Sequence, residues 1–185
     1  MEKTAIMIAN GCEEIEALTV VDLLRRAGIG IDMISITSEK RVTGSHGICF
    51  ETDLTADEFD PASYDGVILP GGMPGTIHLG ECELLCSWLQ KFAAEGKRLA
   101  AICAAPSVLG QLGLLKGKKA TCYPGFEEQL TGADVRSDGV VTDGLVTTAK
   151  GLGVALALGL ELVKLLQGAE TSDAIRASIQ SPELA

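Results

Sequence analysis

Cys103 stands where the apolar run Arg98-Leu-Ala-Ala-Ile102 gives way to Ala104-Ala105-Pro106. The run reads as a buried strand, and Pro fits the first turn of a helix because the N–H it lacks would have no partner there. A Cys at such a strand-to-helix turn holds its sulfur at the sheet edge, where helix-start amides favour the thiolate. This is a nucleophile elbow made of sulfur, and Ala101, Ala104 and Ala105 fit because the turn tolerates little bulk. The alternative is that Cys103 is one more small core hydrophobe. Gly71 and Gly72, after Pro70, free the backbone to approach a ligand and to aim N–H groups at a developing oxyanion, although a plain tight turn explains them too. Neither the P-loop nor the dinucleotide spacing is present. Glu16 lies one turn into an expected helix and is followed by Ala17-Leu18, which turns it inward while Glu13 and Glu14 face water. A carboxyl beside a thiolate resists ionising as well, so an inward Glu16 stays protonated and donates to sulfur. The plainer alternative is a solvated carboxylate at a helix start.

These residues need a scaffold of short apolar strands alternating with helices of period 3.6, the pattern of βαβ units on a parallel sheet. The strands are expected at Thr4–Ala9, Ile29–Ile36, Tyr64–Leu69, Arg98–Ile102, Lys119–Cys122 and Leu145–Ala149, with further strands at Val135 and at Val140-Val141. A first helix presents Ile15, Leu18, Val21 and Leu24 and stops at Gly28; a second, Glu81–Glu95, presents Leu84, Leu85, Trp88, Leu89 and Phe92. Pro70–Gly75 should admit no helix start, and a short helix should begin at Pro106. Val42–Phe50 reads as two arms of a small hairpin, Phe126–Leu130 as a short helical piece, and Gly153–Leu166 and Ser172–Ile179 as the last helices. One doubly wound α/β domain over residues 1–185 is the economical reading. In an open parallel sheet, ligands bind beyond the carboxyl ends of the strands. Residues 10–16, 70–72 and 103–106 are the three junctions expected there.

The chain has 185 residues, 15 basic against 25 acidic, for a net charge of −10, and is 46% apolar. That suffices for a core and excludes intrinsic disorder. With no clustered basic run, a nucleic-acid surface is not expected. No apolar stretch reaches a membrane span and the first residues lack a signal peptide's apolar region, so the expectation is a cytoplasmic protein without a membrane partner. The six Cys, at 12, 49, 82, 86, 103 and 122, lack paired CxxC spacing and read as reduced thiols. Cys12 and Cys122 flank the expected crevice, and Cys82 and Cys86 are most simply core packing. His46 and His78 are the only histidines, which excludes a multi-His metal site; neither zinc nor another metal is expected.

Five segments in order resemble the ThiJ/PfpI family, in the branch of the parkinsonism-associated deglycase and its bacterial relatives: residues 11–16, 25–28, 64–72, 100–106 and 143–151. The resemblance implies a flavodoxin-like three-layer α/β sandwich with a mostly parallel sheet, similar to class I glutamine amidotransferases, and a homodimer. It carries the reactive Cys onto Cys103, its carboxyl partner onto Glu16, and the oxyanion amides onto Gly72 and Ala104, with Gly71 beside them. Relatives with a Cys-His pair have the His where this chain has Ala104 or Tyr123, and a cross-dimer Arg where it has His46. These departures argue against a peptidase, which needs a base beside its thiol. They leave His46 and Tyr123 as the residues to examine. The resemblance implies a cofactor-independent enzyme acting on small α-oxoaldehydes or on glycated thiols and amines, with hydroxy-acid products. The other class of function is an oxidative-stress sensor or chaperone in which Cys103 is oxidised. A flavin or nucleotide module is a third, and the sequence lacks a phosphate-binding loop for it.

Overall fold

The computed structural model describes residues 3–181. Its strands and helices follow the chain as β1 (Lys3–Ile8), α1 (Glu14–Arg26), β2 (Gly30–Ser35), β3 (Arg41–Thr43), β4 (Cys49–Glu51), β5 (Leu54–Thr55), β6 (Gly66–Leu69), α2 (Gly75–Glu81) and α3 (Glu83–Ala94). Then come β7 (Arg98–Ile102), α4 (Pro106–Gln111), β8 (Lys119–Ala120), β9 (Asp134–Val135), β10 (Val140–Asp143), β11 (Val146–Ala149), α5 (Ala155–Gln167) and α6 (Ala169–Ser178). Seven strands form one sheet in the order β10-β11-β7-β6-β1-β2-β5, parallel except for the β10–β11 hairpin.

Period-two alternation splits the core into the two layers that make this a flavodoxin-like sandwich. Ala5, Met7, Val67, Leu69, Leu99 and Ala101 face α2, α3 and α4, while Ile6, Ile8, Ile68, Ala100 and Ile102 face α1 and α5. Leu85, Leu89 and Phe92 of α3 are wholly buried, each worth about 2 kcal/mol by area. Strand order reverses around β1, which has β2 on one side and β6 on the other. The loops leaving β1 and β6 therefore open a crevice at a topological switch point.

Several local expectations need correction. α2 starts at Gly75 behind an N-cap at Pro74, because the Pro70–Gly75 segment supplies a helix start at its last residue. Ile15 and Leu84 are 47% and 49% exposed, since the faces that meet the sheet are instead Ala17, Val20 and Leu24 on α1 and Leu85, Leu89 and Phe92 on α3. The strand expected over Lys119–Cys122 shortens to two residues and pairs with β9 in a side sheet. The hairpin arms are β3 and β4. No helix among the described residues is long and apolar enough to cross a membrane.

Candidate active site

Cys103 leaves β7 with φ of 65°, a left-handed backbone that costs a non-glycine residue about 1–2 kcal/mol. Two hydrogen bonds hold it there: its N–H donates to Ala149 O at 2.9 Å and its carbonyl accepts the Tyr123 N–H at 2.8 Å. Pro106 follows in the first turn of α4, so the sulfur is fixed at the edge of the sheet. The elbow read from the sequence is present.

Glu16 comes to it from the adjacent junction. Its carboxyl is 1% exposed and hydrogen-bonded to Cys103; Oε2 accepts the Gly71 N–H at 3.0 Å, and the Leu152 N–H donates to the same carboxyl. Burial above all, with the charge of Glu13 behind it, pushes the Glu16 carboxyl up to about 7 against those hydrogen bonds. Burial, followed by the charge of Glu16 and the hydrogen bond to it, pushes the Cys103 thiol up to about 12, against the N–H groups of Ala104 and Gly72. The expectation of a thiol acidified by helix-start amides is thus corrected, because desolvation and a neighbouring carboxylate outweigh two amides. The pair gains one negative charge as pH rises through about 7, and a thiolate forms when the Cys103 proton moves onto Glu16.

The two glycines are present because no side chain fits. A Cβ on Gly71 would stand 2.5 Å from Cys103 Cβ and 2.7 Å from Glu16 Oε2, and one on Gly72 (φ 91°) would overlap the Glu13 N. Gly72→Ala is expected to cost about 2 kcal/mol or more in urea unfolding. Gly28→Ala should cost about 1 kcal/mol, since Gly28 shares the positive φ but has open space around it. Equal losses in the two variants would show that contact with the Glu13 backbone does not matter.

Glu13 and Glu14 do not face water as expected; they are 8% and 1% exposed. Glu13 is the N-cap of α1, its Oε2 accepting the Glu16 N–H at 2.5 Å. Glu14 lies under the β3–β4 hairpin. Burial raises its carboxyl, but hydrogen bonds from the His46 ring and from backbone N–H groups, including those of His46 and Ile48, hold it at about 2.

His46 packs on Glu14 rather than beside the Cys103 of its own chain, and His78 Nδ1 donates to Asn10 O, so within one protomer neither histidine lies beside the thiol. Tyr123 does lie at the site: its ring is half exposed and within van der Waals reach of Gly151. It walls an open groove of about 300 Å³ with Pro124, Lys150, Gly151 and Leu152. Cys12 and Cys122 sit in the cores on opposite faces of the sheet, and every Cys is a free thiol.

Sequence reasoning names three junctions; the fourth, after β11, supplies the Leu152 N–H that holds Glu16. Its signal was Gly151-Leu152-Gly153 between a strand and a helix. Glu13 also escapes notice as a support of Glu16, because capping by Glu is unusual.

Residues 2–165 match the model of the DJ-1/PfpI family. Protein DJ-1 homolog B of Arabidopsis thaliana is 37% identical over 91% of this chain, which spans 39% of that longer relative. Deglycase PH1704 of Pyrococcus horikoshii is 33% identical over 89% of this chain and 99% of its own. The solved structure of oxidized Toxoplasma gondii DJ-1 superposes with a TM-score of 0.93 at 33% identity, covering 97% of this chain and 98% of its own.

Proposed function

The chain belongs to the DJ-1/PfpI family, and from that premise we propose that it is a cysteine-dependent, cofactor-independent enzyme that converts reactive α-oxoaldehydes, or early glycation adducts, to hydroxy acids. The observation that carries the reading is the buried Cys103–Glu16 pair, hydrogen-bonded to one another, with two backbone N–H groups, of Gly72 and Ala104, aimed at the sulfur. A relative named a deglycase, similar over nearly its whole length, supports the substrate class.

The chemistry follows from those groups. With its proton on Glu16, the Cys103 thiolate attacks the aldehyde carbon; a C–S bond forms and the carbonyl pair moves onto oxygen. Gly72 and Ala104 N–H groups hold that oxyanion, and Glu16 returns the proton to give a hemithioacetal. Glu16, now a carboxylate, takes the C–H proton of the former aldehyde carbon and delivers it to the adjacent carbonyl carbon, while the hemithioacetal O–H proton passes to that carbonyl's oxygen; the first carbon becomes a thioester carbonyl and the second an alcohol. Water hydrolyses the thioester to the hydroxy acid and restores the thiol. The first carbon is oxidised and the second reduced, so the sum is substrate plus water and no cofactor enters.

The test is hydroxy-acid formation from methylglyoxal in amine-free buffer, with glycated thiols as a second substrate. Turnover above the buffer rate supports the enzyme. Turnover at the buffer rate, together with ready oxidation of Cys103 to the sulfinate, overturns it in favour of the oxidative-stress sensor, a reading to which the oxidized form of the Toxoplasma relative lends weight.

The working unit in this proposal is a homodimer. Ile15, Ile48, Leu152 and Leu156 are 45–50% exposed in this range: 47%, 49%, 50% and 46%. They lie on elements tied together by α1–α5 packing and by the Ile48 N–H bond to Glu14. Ile15→Glu is expected to halve the mass seen in light scattering; a monomeric wild type, or an unchanged dimer in the variant, removes this surface from the interface.

A further inference from the structure

Beside the Cys103 site, Glu13, Glu14 and His46 converge without a Lys or Arg paired to either carboxylate among the described residues. His46 Nδ1 lies 3.0 Å from Glu14 Oε2 and 3.7 Å from Glu13 Oε1, and one ligand atom from each of the three residues lies within 4.8 Å of the others. The two carboxylates are pre-positioned. Glu14 Oε1 accepts N–H groups from His46 at 2.8 Å and Ile48 at 3.3 Å, and Gly44 leaves the space that the Glu14 carboxyl fills. Glu13 is fixed through Oε2 on the Glu16 N–H. Its Oε1, on a side chain nine-tenths buried, makes no hydrogen bond among the described residues and points at the imidazole.

Glu14 is satisfied by its hydrogen bonds, but Glu13 Oε1 stands near it with none among the described residues, and a cation between the two carboxylates would relieve their repulsion. The imidazole supplies one nitrogen, and its ring is 67% exposed, which leaves an entry path and room for water. Two N/O ligands about 2.0–2.2 Å from a tetrahedral metal stand roughly 3.3–3.6 Å apart. The separations of 3.0 and 3.7 Å straddle that range. We propose that Glu13, Glu14 and His46 form a binding site for a divalent transition-metal ion, with Glu13 Oε1, Glu14 Oε2 and His46 Nδ1 as ligands and water completing the shell. Imidazole with carboxylates suits zinc and cobalt. Binding requires the neutral ring with its remaining proton on Nε2, so any proton on Nδ1 leaves to solvent. Two histidines exclude a histidine-rich set, and the expectation of no metal followed from that; a set of one His and two Glu depends on a long-range contact that spacing does not reveal.

The experiment is a Co²⁺ titration of the full chain, read in the visible and near ultraviolet, because free thiols compete for the metal. The proposal expects one equivalent with d–d bands and without sulfur-to-cobalt charge transfer, unchanged in Cys103→Ser. In His46→Ala, which alters an exposed side chain, affinity should fall at least about tenfold, and Glu13→Gln should weaken it likewise while circular dichroism stays native. No uptake, uptake showing only thiolate charge transfer, or equal affinity in His46→Ala would overturn the site. The readout is metal binding, so it stands apart from the fate of the aldehyde reaction.

Discussion

Cys103→Ser is expected to bring hydroxy-acid formation from methylglyoxal down to the buffer rate, a loss of about a thousandfold or more. Serine keeps the shape of the elbow and the hydrogen bond to Glu16, but a hydroxyl has no accessible anion beside a carboxylate of this kind. The thiol is different because the pair shares a proton: moving it from sulfur to Glu16 creates the nucleophile and the acid in one step. The Gly72 and Ala104 N–H groups favour that form, and they are the contacts that pull the thiol down against burial and the charge of Glu16. Cys49→Ser, at an exposed site on the hairpin, should retain turnover. Assays of both variants, with mass-spectrometric labelling of the remaining thiols, decide the matter. If Cys103→Ser keeps a tenth of the wild-type rate, the thiol mechanism is wrong.

Glu16→Gln should separate stability from chemistry. Gln retains the shape and can still accept the Gly71 N–H, but it cannot move a proton, and turnover should fall by about a hundredfold. Stability should respond to pH in the opposite sense to the usual surface carboxylate. The Glu16 carboxyl is raised from 4.5 to about 7 by folding, so its contribution is fully present below pH 4.5 and is lost as pH rises through about 7. That loss is on the order of 3 kcal/mol at most, from about 1.4 kcal/mol per pH unit. Relative to wild type, Glu16→Gln should therefore gain stability between pH 5 and pH 8 in urea unfolding. Cys103, raised from 9 to about 12, loses its share only above pH 9, and Glu14, lowered from 4.5 to about 2, loses its share only as pH falls below 4.5. Neither intrudes on the window. A constant difference between the two proteins at pH 5 and pH 8 would show that Glu16 does not titrate there.

The price of this site in stability is visible elsewhere too. Cys103 holds a left-handed backbone, and Glu13, Glu14 and Glu16 are buried within one turn of each other. Strain and buried charge of this kind accumulate where function requires them.

What the sequence determined by itself was set by backbone periodicity and by residues with restricted geometry. Short continuous apolar runs mark β1, β6 and β7; Pro106 fixes the start of α4; the glycine pair at 71 and 72 marks a close approach. These are local rules, and they brought Cys103, Glu16 and Gly72 to one sheet edge through the parallel topology. The tertiary structure alone decided the rest. Glu14 is buried because a hairpin some thirty residues on folds over it, and His46 meets it for the same reason. Glu16 is gripped by Leu152, far away in the chain, and Ile15 turns outward because α1 meets the sheet through Ala17, Val20 and Leu24. The thiol is raised rather than lowered because desolvation depends on how completely distant segments close over a group. Spacing reports which backbone comes near; only packing reports how much water is left.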